Sequence, residues 1–152
     1  MKQKQVLSIE QMKHLQDLGL DTSDASMVLI AIDDDSCPLD WETALEAMST
    51  HLYDVSFDLF DADSPYYDHS YRKDCGVFTL QDILDKMPHY LNPFPSKQIL
   101  FAWMIERDTI AYRNVESVDD CLKHFTDNSL IDAAYEMLCW CVENRYIKKD
   151  GE

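Results

Sequence analysis

Met27-Val28-Leu29-Ile30-Ala31-Ile32-Asp33-Asp34-Asp35 decides the fold. A short apolar run rich in β-branched residues reads as a buried strand, and the three aspartates as the turn by which it leaves the core. On its amino-terminal side, Ser8-Ile9-Glu10-Gln11 has the form of a capping box. The serine hydroxyl accepts from the third helical N–H and the Gln side chain reaches back. That helix is expected to run to about Leu18, with Ile9, Met12 and Leu15 on one face and Gly19 as its left-handed stop. On the other side, Trp41 to Leu52 has helical spacing. Tyr53, Val55, Phe57 and Leu59 then alternate with Asp54, Ser56 and Asp58, the pattern of a half-buried strand.

Further along, residues 61–76 are rich in Asp, Ser and Pro and read as a loop. Thr79 with Asp82 caps a short helix that ends at Met87-Pro88. Asn92-Pro93-Phe94-Pro95 is a rigid connector. Lys97 to Glu106 and Thr109 to Asn114 flank Arg107-Asp108 as an antiparallel hairpin. Ser117 with Asp120 is expected to cap a further short helix, and a last helix runs from Ser129 to Asn144. The order predicts one acidic α+β domain over residues 1–152. Its expected form is a small antiparallel or mixed sheet with a hairpin, flanked by about five helices.

Charge is the dominant compositional feature. Of 152 residues, 29 are acidic and 13 basic, a net charge of −16. Residues 21–76 hold fourteen acids against Arg72 and Lys73, and no Lys or Arg lies between Lys13 and Arg72. Such a field repels nucleic acid and anionic membranes and attracts basic proteins and divalent cations. Three Trp, eight Tyr and six Phe argue for an ordered core. The amino terminus is amphipathic, unlike a secretory signal, and no segment is long enough to span a bilayer, so a cytoplasmic location is expected. Five cysteines at irregular spacing, Cys37, Cys75, Cys121, Cys139 and Cys141, point to reduced thiols.

Each candidate chemical site has a plainer reading. Asp61, Asp63 and Asp68 could converge oxygens on a hard cation, but an EF-hand counted from Asp61 places Pro65, Tyr66 and Arg72 where an oxygen ligand, glycine and glutamate belong. A solvated turn is the preferred reading; a looser metal site that includes His69 is the alternative. Tyr66, Tyr67, His69 and Tyr71 form an aromatic cluster that serves either as an interface anchor or as the inner packing of the loop. Asp33-Asp34-Asp35 lacks a phosphate-binding glycine motif and reads as a charged turn. Cys139 and Cys141 stand roughly 200° apart around a helix and cannot share an ion; Cys141 belongs to the core and Cys139 lies nearer the polar face. Cys75 with His69 or His89 has no hydrolase signature around it. No cofactor, metal or catalytic set is therefore expected. The candidate binding residues are Asp61, Asp63, Tyr66, Tyr67, Asp68, His69 and Tyr71.

Three stretches carry a resemblance. They are Val6-Leu7-Ser8-Ile9-Glu10-Gln11-Met12-Lys13-His14-Leu15 with Leu18-Gly19-Leu20-Asp21-Thr22-Ser23, then Phe78-Thr79-Leu80-Gln81-Asp82-Ile83-Leu84, and Ser129-Leu130-Ile131-Asp132-Ala133-Ala134-Tyr135-Glu136-Met137-Leu138. They resemble an uncharacterised family of short acidic Bacteroides proteins associated with prophages and mobile elements. The resemblance implies a bacterial cytoplasmic origin and carries over no functional residue. Charge and the mobile-element association together predict a non-enzymatic interaction protein with a basic protein partner, in its sharper form a DNA mimic. A small metal-dependent module using the loop 61–74 is the rival, and the oligomeric state stays open.

Overall fold

The computed structural model describes residues 4–51, 54–63 and 75–149. Its first helix, α1 (Ile9–Asp17), starts at the expected capping box. The Gln11 N–H donates to Ser8 Oγ at 3.2 Å, and the Ser8 N–H donates to Gln11 Oε1 at 2.9 Å. Ile9, Met12 and Leu15 are its buried face. Gly19 follows at φ +95°, a conformation that suits glycine; a Cβ there would stand 3.1 Å from the Lys149 side chain.

Strand β1 (Met27–Ile32) organises the first sheet. Its partners are β2 (Pro38–Leu39), β3 (Ser56–Asp61) and β4 (Gly76–Val77), all antiparallel. β3 lies along the whole of β1, with Met27 opposite Asp61 and Ile32 opposite Ser56. β2 and β4 share the other side of β1. α2 (Trp41–Thr50) packs on β1, and its Trp41 indole donates to the Leu29 carbonyl at 3.2 Å. Asp40 caps this helix by accepting from the Thr43 N–H at 2.7 Å. His51, left-handed at φ 55°, caps its end, so the helix stops at Thr50, two residues before the expected Leu52.

α3 (Leu80–Lys86) carries the second capping box, Thr79 with Asp82, and ends where Pro88 forbids another turn. A second antiparallel sheet follows, in the order β5 (Tyr90–Leu91), β6 (Phe101–Glu106), β7 (Thr109–Asn114) and β8 (Ser117–Thr126). The hairpin turns at Arg107-Asp108, Arg107 taking φ 56°. Its first strand begins at Phe101, later than expected, because Pro95–Lys97 forms a 3-10 turn. α4 (Leu130–Glu143) covers β7 and β8 and also packs on α3. Among the described residues there are thus four α-helices and two antiparallel sheets, an α+β arrangement.

The expected helix capped by Ser117 and Asp120 is instead β8. The cap signature of Ser117 with Asp120 is what points to a helix. The segment pairs with β7 instead. Tyr112 opposes Lys123, yet Arg113 opposes Cys121 and Asn114 opposes Ser117, so β8 bulges twice. A bulge resets the alternation of side chains, and Leu122 and Phe125 both reach the core although they stand three positions apart.

One cluster of buried apolar residues runs through the molecule, from Val28 and Trp41 beside the first sheet to Tyr112, Met137 and Leu138 under α4. Tyr112 is fully buried, and its hydroxyl donates to the Pro88 carbonyl at 2.7 Å. At the amino terminus, Asp132 Oδ1 of α4 accepts from Lys4 Nζ and from Gln11 Nε2, each at 2.8 Å. Burial alone would raise the Asp132 carboxyl, but these donors outweigh it and hold the group below its usual range.

Tyr112→Phe is expected to cost about 1–2 kcal/mol, because the Pro88 carbonyl loses its donor. Calorimetry should show a melting temperature lower by a few degrees, and an unchanged value would mean that the bond contributes nothing. A carboxyl depressed in the folded state stabilises above its unfolded pKa, and that contribution fades as pH falls through the folded value. Asp132→Asn should therefore cost about 1 kcal/mol at pH 7, with the deficit shrinking in denaturant titrations as pH falls below the ordinary carboxylate range.

Candidate functional site

The two sheets differ in their charged surroundings. Asp34, Asp35, Asp54, Asp58, Asp61 and Asp63 are all exposed on or beside the first sheet. The three ion pairs among the described residues, Lys4–Asp132, Lys13–Glu42 and Lys86–Asp24, involve none of them.

Local geometry explains several of these acids. Asp33 Oδ1 accepts from the N–H groups of Asp35 and Cys37, both at 2.9 Å, and folds the turn between β1 and β2. This is the charged turn expected from the sequence. Asp61, the last residue of β3, accepts from the Asp63 N–H at 3.0 Å. Asp61 and Asp63 thus lie together at the exit of β3. Tyr66, Tyr67, Asp68, His69 and Tyr71 lie outside the described residues. Among the described residues, no group of three or more His, Cys, Asp or Glu side chains could hold a metal ion.

β3 departs from the expected half-buried alternation. Phe57 and Leu59 are each 36 % exposed, while Phe60 packs against the core. Tyr53 lies outside the described residues, and the strand is shifted toward Asp61. The apolar side chains of the alternating pattern are therefore partly offered to solvent. β3 is also the edge of its sheet, with β1 on one side and no paired strand on the other among the described residues.

Three clefts mark the surface elsewhere. One of about 530 Å³ lies between the end of α1 and the start of α2, with Lys13, Gln16, Asp21, Asp40 and Trp41 in its wall. Its carboxylates already serve the backbone: the Thr43 N–H holds Asp40 below the usual range, and the Ser23 N–H does the same for Asp21. A second, of about 440 Å³, lies on the second sheet beside Met104, Arg113 and Val118. A third, of about 410 Å³, is lined by His14, Lys123, Tyr135, Glu136, Cys139 and Glu143. Cys139 is buried there, deeper than its place near the polar face of the helix suggested. Burial pushes its thiol up to about 11 and that of Cys141 up to about 12. A protonated, buried thiol is a poor nucleophile. Cys75 is buried as well, and His89 is exposed.

No protein-family model, curated protein or solved structure matches this chain. No helix among the described residues is long and apolar enough to cross a membrane.

At pH 8 a pKa of about 11 leaves on the order of one Cys139 in a thousand as thiolate. A thiol reagent applied to the native protein should modify exposed Cys37 first, with Cys139 and Cys141 reacting only on unfolding. Mass mapping of the labelled peptides checks this, and early labelling of Cys139 would contradict the buried, protonated thiol.

Proposed function

We propose that this protein is a non-enzymatic interaction module that presents the acidic first sheet to a basic protein partner. The observation that carries the reading is the set of exposed aspartates around β1 and β3 that take part in no ion pair among the described residues. Uncompensated like charges on a folded surface destabilise the free protein and are relieved by a cationic partner. Residues 14–71 contribute no Lys or Arg to offset them.

A sharper form is an inhibitor that imitates DNA, with carboxylates standing where phosphates would lie in the basic groove of a nucleic-acid-binding protein. The resemblance to acidic proteins of prophages and mobile elements favours this form, and with it a Bacteroides-type bacterial cytoplasm as the working location. The rival reading, a metal-dependent module built on loop 61–74, draws on Asp61 and Asp63, which meet at the exit of β3.

Immobilised protein exposed to Bacteroides lysate at low salt should capture one dominant basic protein that a salt gradient releases. Duplex DNA added as competitor should release it too if the partner site is a nucleic-acid groove. Recovery of nothing specific would mean that the charge serves solubility alone. Millimolar calcium or manganese should leave the melting temperature unchanged; a rise of several degrees would favour the rival.

A further inference from the structure

The backbone phase of β3 follows from one hydrogen bond. The Ala62 N–H donates to the Ser26 carbonyl at 2.9 Å, and the register of the strands places these two residues opposite one another. In an antiparallel pair, residues that exchange hydrogen bonds alternate with residues that do not. Phe60, Asp58 and Ser56 therefore bond to Val28, Ile30 and Ile32 of β1. Phe57, Leu59 and Asp61 turn their N–H and C=O groups outward. No hydrogen bond to the outward groups of Phe57 or Leu59 exists among the described residues, and no strand pairs along that side.

Exposed edges are ordinarily blunted by lysine, proline, a bulge or a short strand. β3 has none of these. It is six residues long, contains no proline or lysine, and pairs with β1 without a register shift. Among the described residues its deterrent is negative charge, from Asp58 and Asp61 in the strand and Asp54 and Asp63 beside it. That deterrent is selective. A second copy of the chain laid along β3 would bring aspartates against aspartates between two molecules of net charge −16. A cationic segment meets the opposite field.

Resting on the interaction reading above, we propose that the outer edge of β3 is a strand-addition site for an extended, basic segment of a protein partner. The main chain of that segment completes the ladder at Phe57 and Leu59. Side chains of an added strand alternate between the two faces of the sheet. Apolar residues on the face of Phe57 and Leu59 cover those two half-open side chains. Lys or Arg on the face of Asp58 supply its counter-charge. The edge thus specifies its occupant as alternating apolar and cationic residues in extended form.

The test uses a synthetic peptide of alternating Val and Lys, blocked at both ends, titrated into the isotopically labelled full chain. The amide signals of Phe57 and Leu59 should shift and gain protection from solvent exchange. A peptide of the same charge, N-methylated on alternate residues so that its ladder donors are gone, should bind at least tenfold more weakly. Leu59→Pro should abolish binding, since its N–H is not used by β1 and its loss leaves the sheet intact. Equal binding of the methylated and unmethylated peptides would overturn strand addition and leave only attraction by charge, with the interaction reading standing. Shifts centred elsewhere, or no binding at millimolar peptide, would also overturn it, while the salt-eluted lysate partner judges the wider reading separately. Should Leu59→Pro fail to fold, the methylated peptide against the unaltered chain still decides.

Discussion

One carboxylate joins the two halves of this fold. Asp82 Oδ2 accepts from the Thr79 N–H at 3.0 Å, from the Ser26 N–H at 3.1 Å and from the Ser26 hydroxyl at 2.7 Å. The first bond closes the capping box of α3. The other two seize the residue that leads directly into β1. Hydrogen bonds to an ionised acceptor are stronger than neutral ones, and three on one oxygen fix both chain directions. α3 in turn packs on α4, and α4 covers the second sheet. The placement of the acidic sheet against the rest of the core is thus set by a local capping motif with one long-range guest.

Much of this was legible because local signals and tertiary packing agree. Ser8 with Gln11 and Thr79 with Asp82 are capping boxes in the sequence and in the structure. The β1 run is apolar enough to require pairing along both sides. The hairpin turn at Arg107-Asp108 also stands where it was expected. The failure at β8 is instructive. β8 is held as a strand by its bulged pairing with β7, and that pairing depends on the partner strand, which no local pattern encodes. Tertiary pairing there overrode a cap signature at Ser117 and Asp120.

The candidate site was legible by composition but not by geometry. The absence of Lys and Arg from residues 14–71 marks the acidic segment in the sequence. Which aspartates serve the backbone and which face solvent could not be read there. Asp33 is spent on its own turn, whereas Asp58 stands in mid-strand with no such duty. Nor does alternation reveal which residues of an edge strand turn their backbone outward. That depends on register, and register is decided by β1.

Among the described residues, β2, β3 and β4 each pair with β1, so the first sheet is organised around one strand. Its longest ladder, with β3, closes across the whole of α2, and its most distant pair in sequence is Met27 with Val77. The second sheet is a run of neighbours in sequence, β5 to β8. Closing a long loop loses more chain entropy than closing a short one. Non-local pairing accordingly sets the slow step in domains of this kind. The second sheet with α4 is therefore expected to form early and β3 to dock onto β1 late. On that order a refolding chain is expected to gather its negative charge onto one surface as folding ends, when the core that must bear the repulsion is already in place.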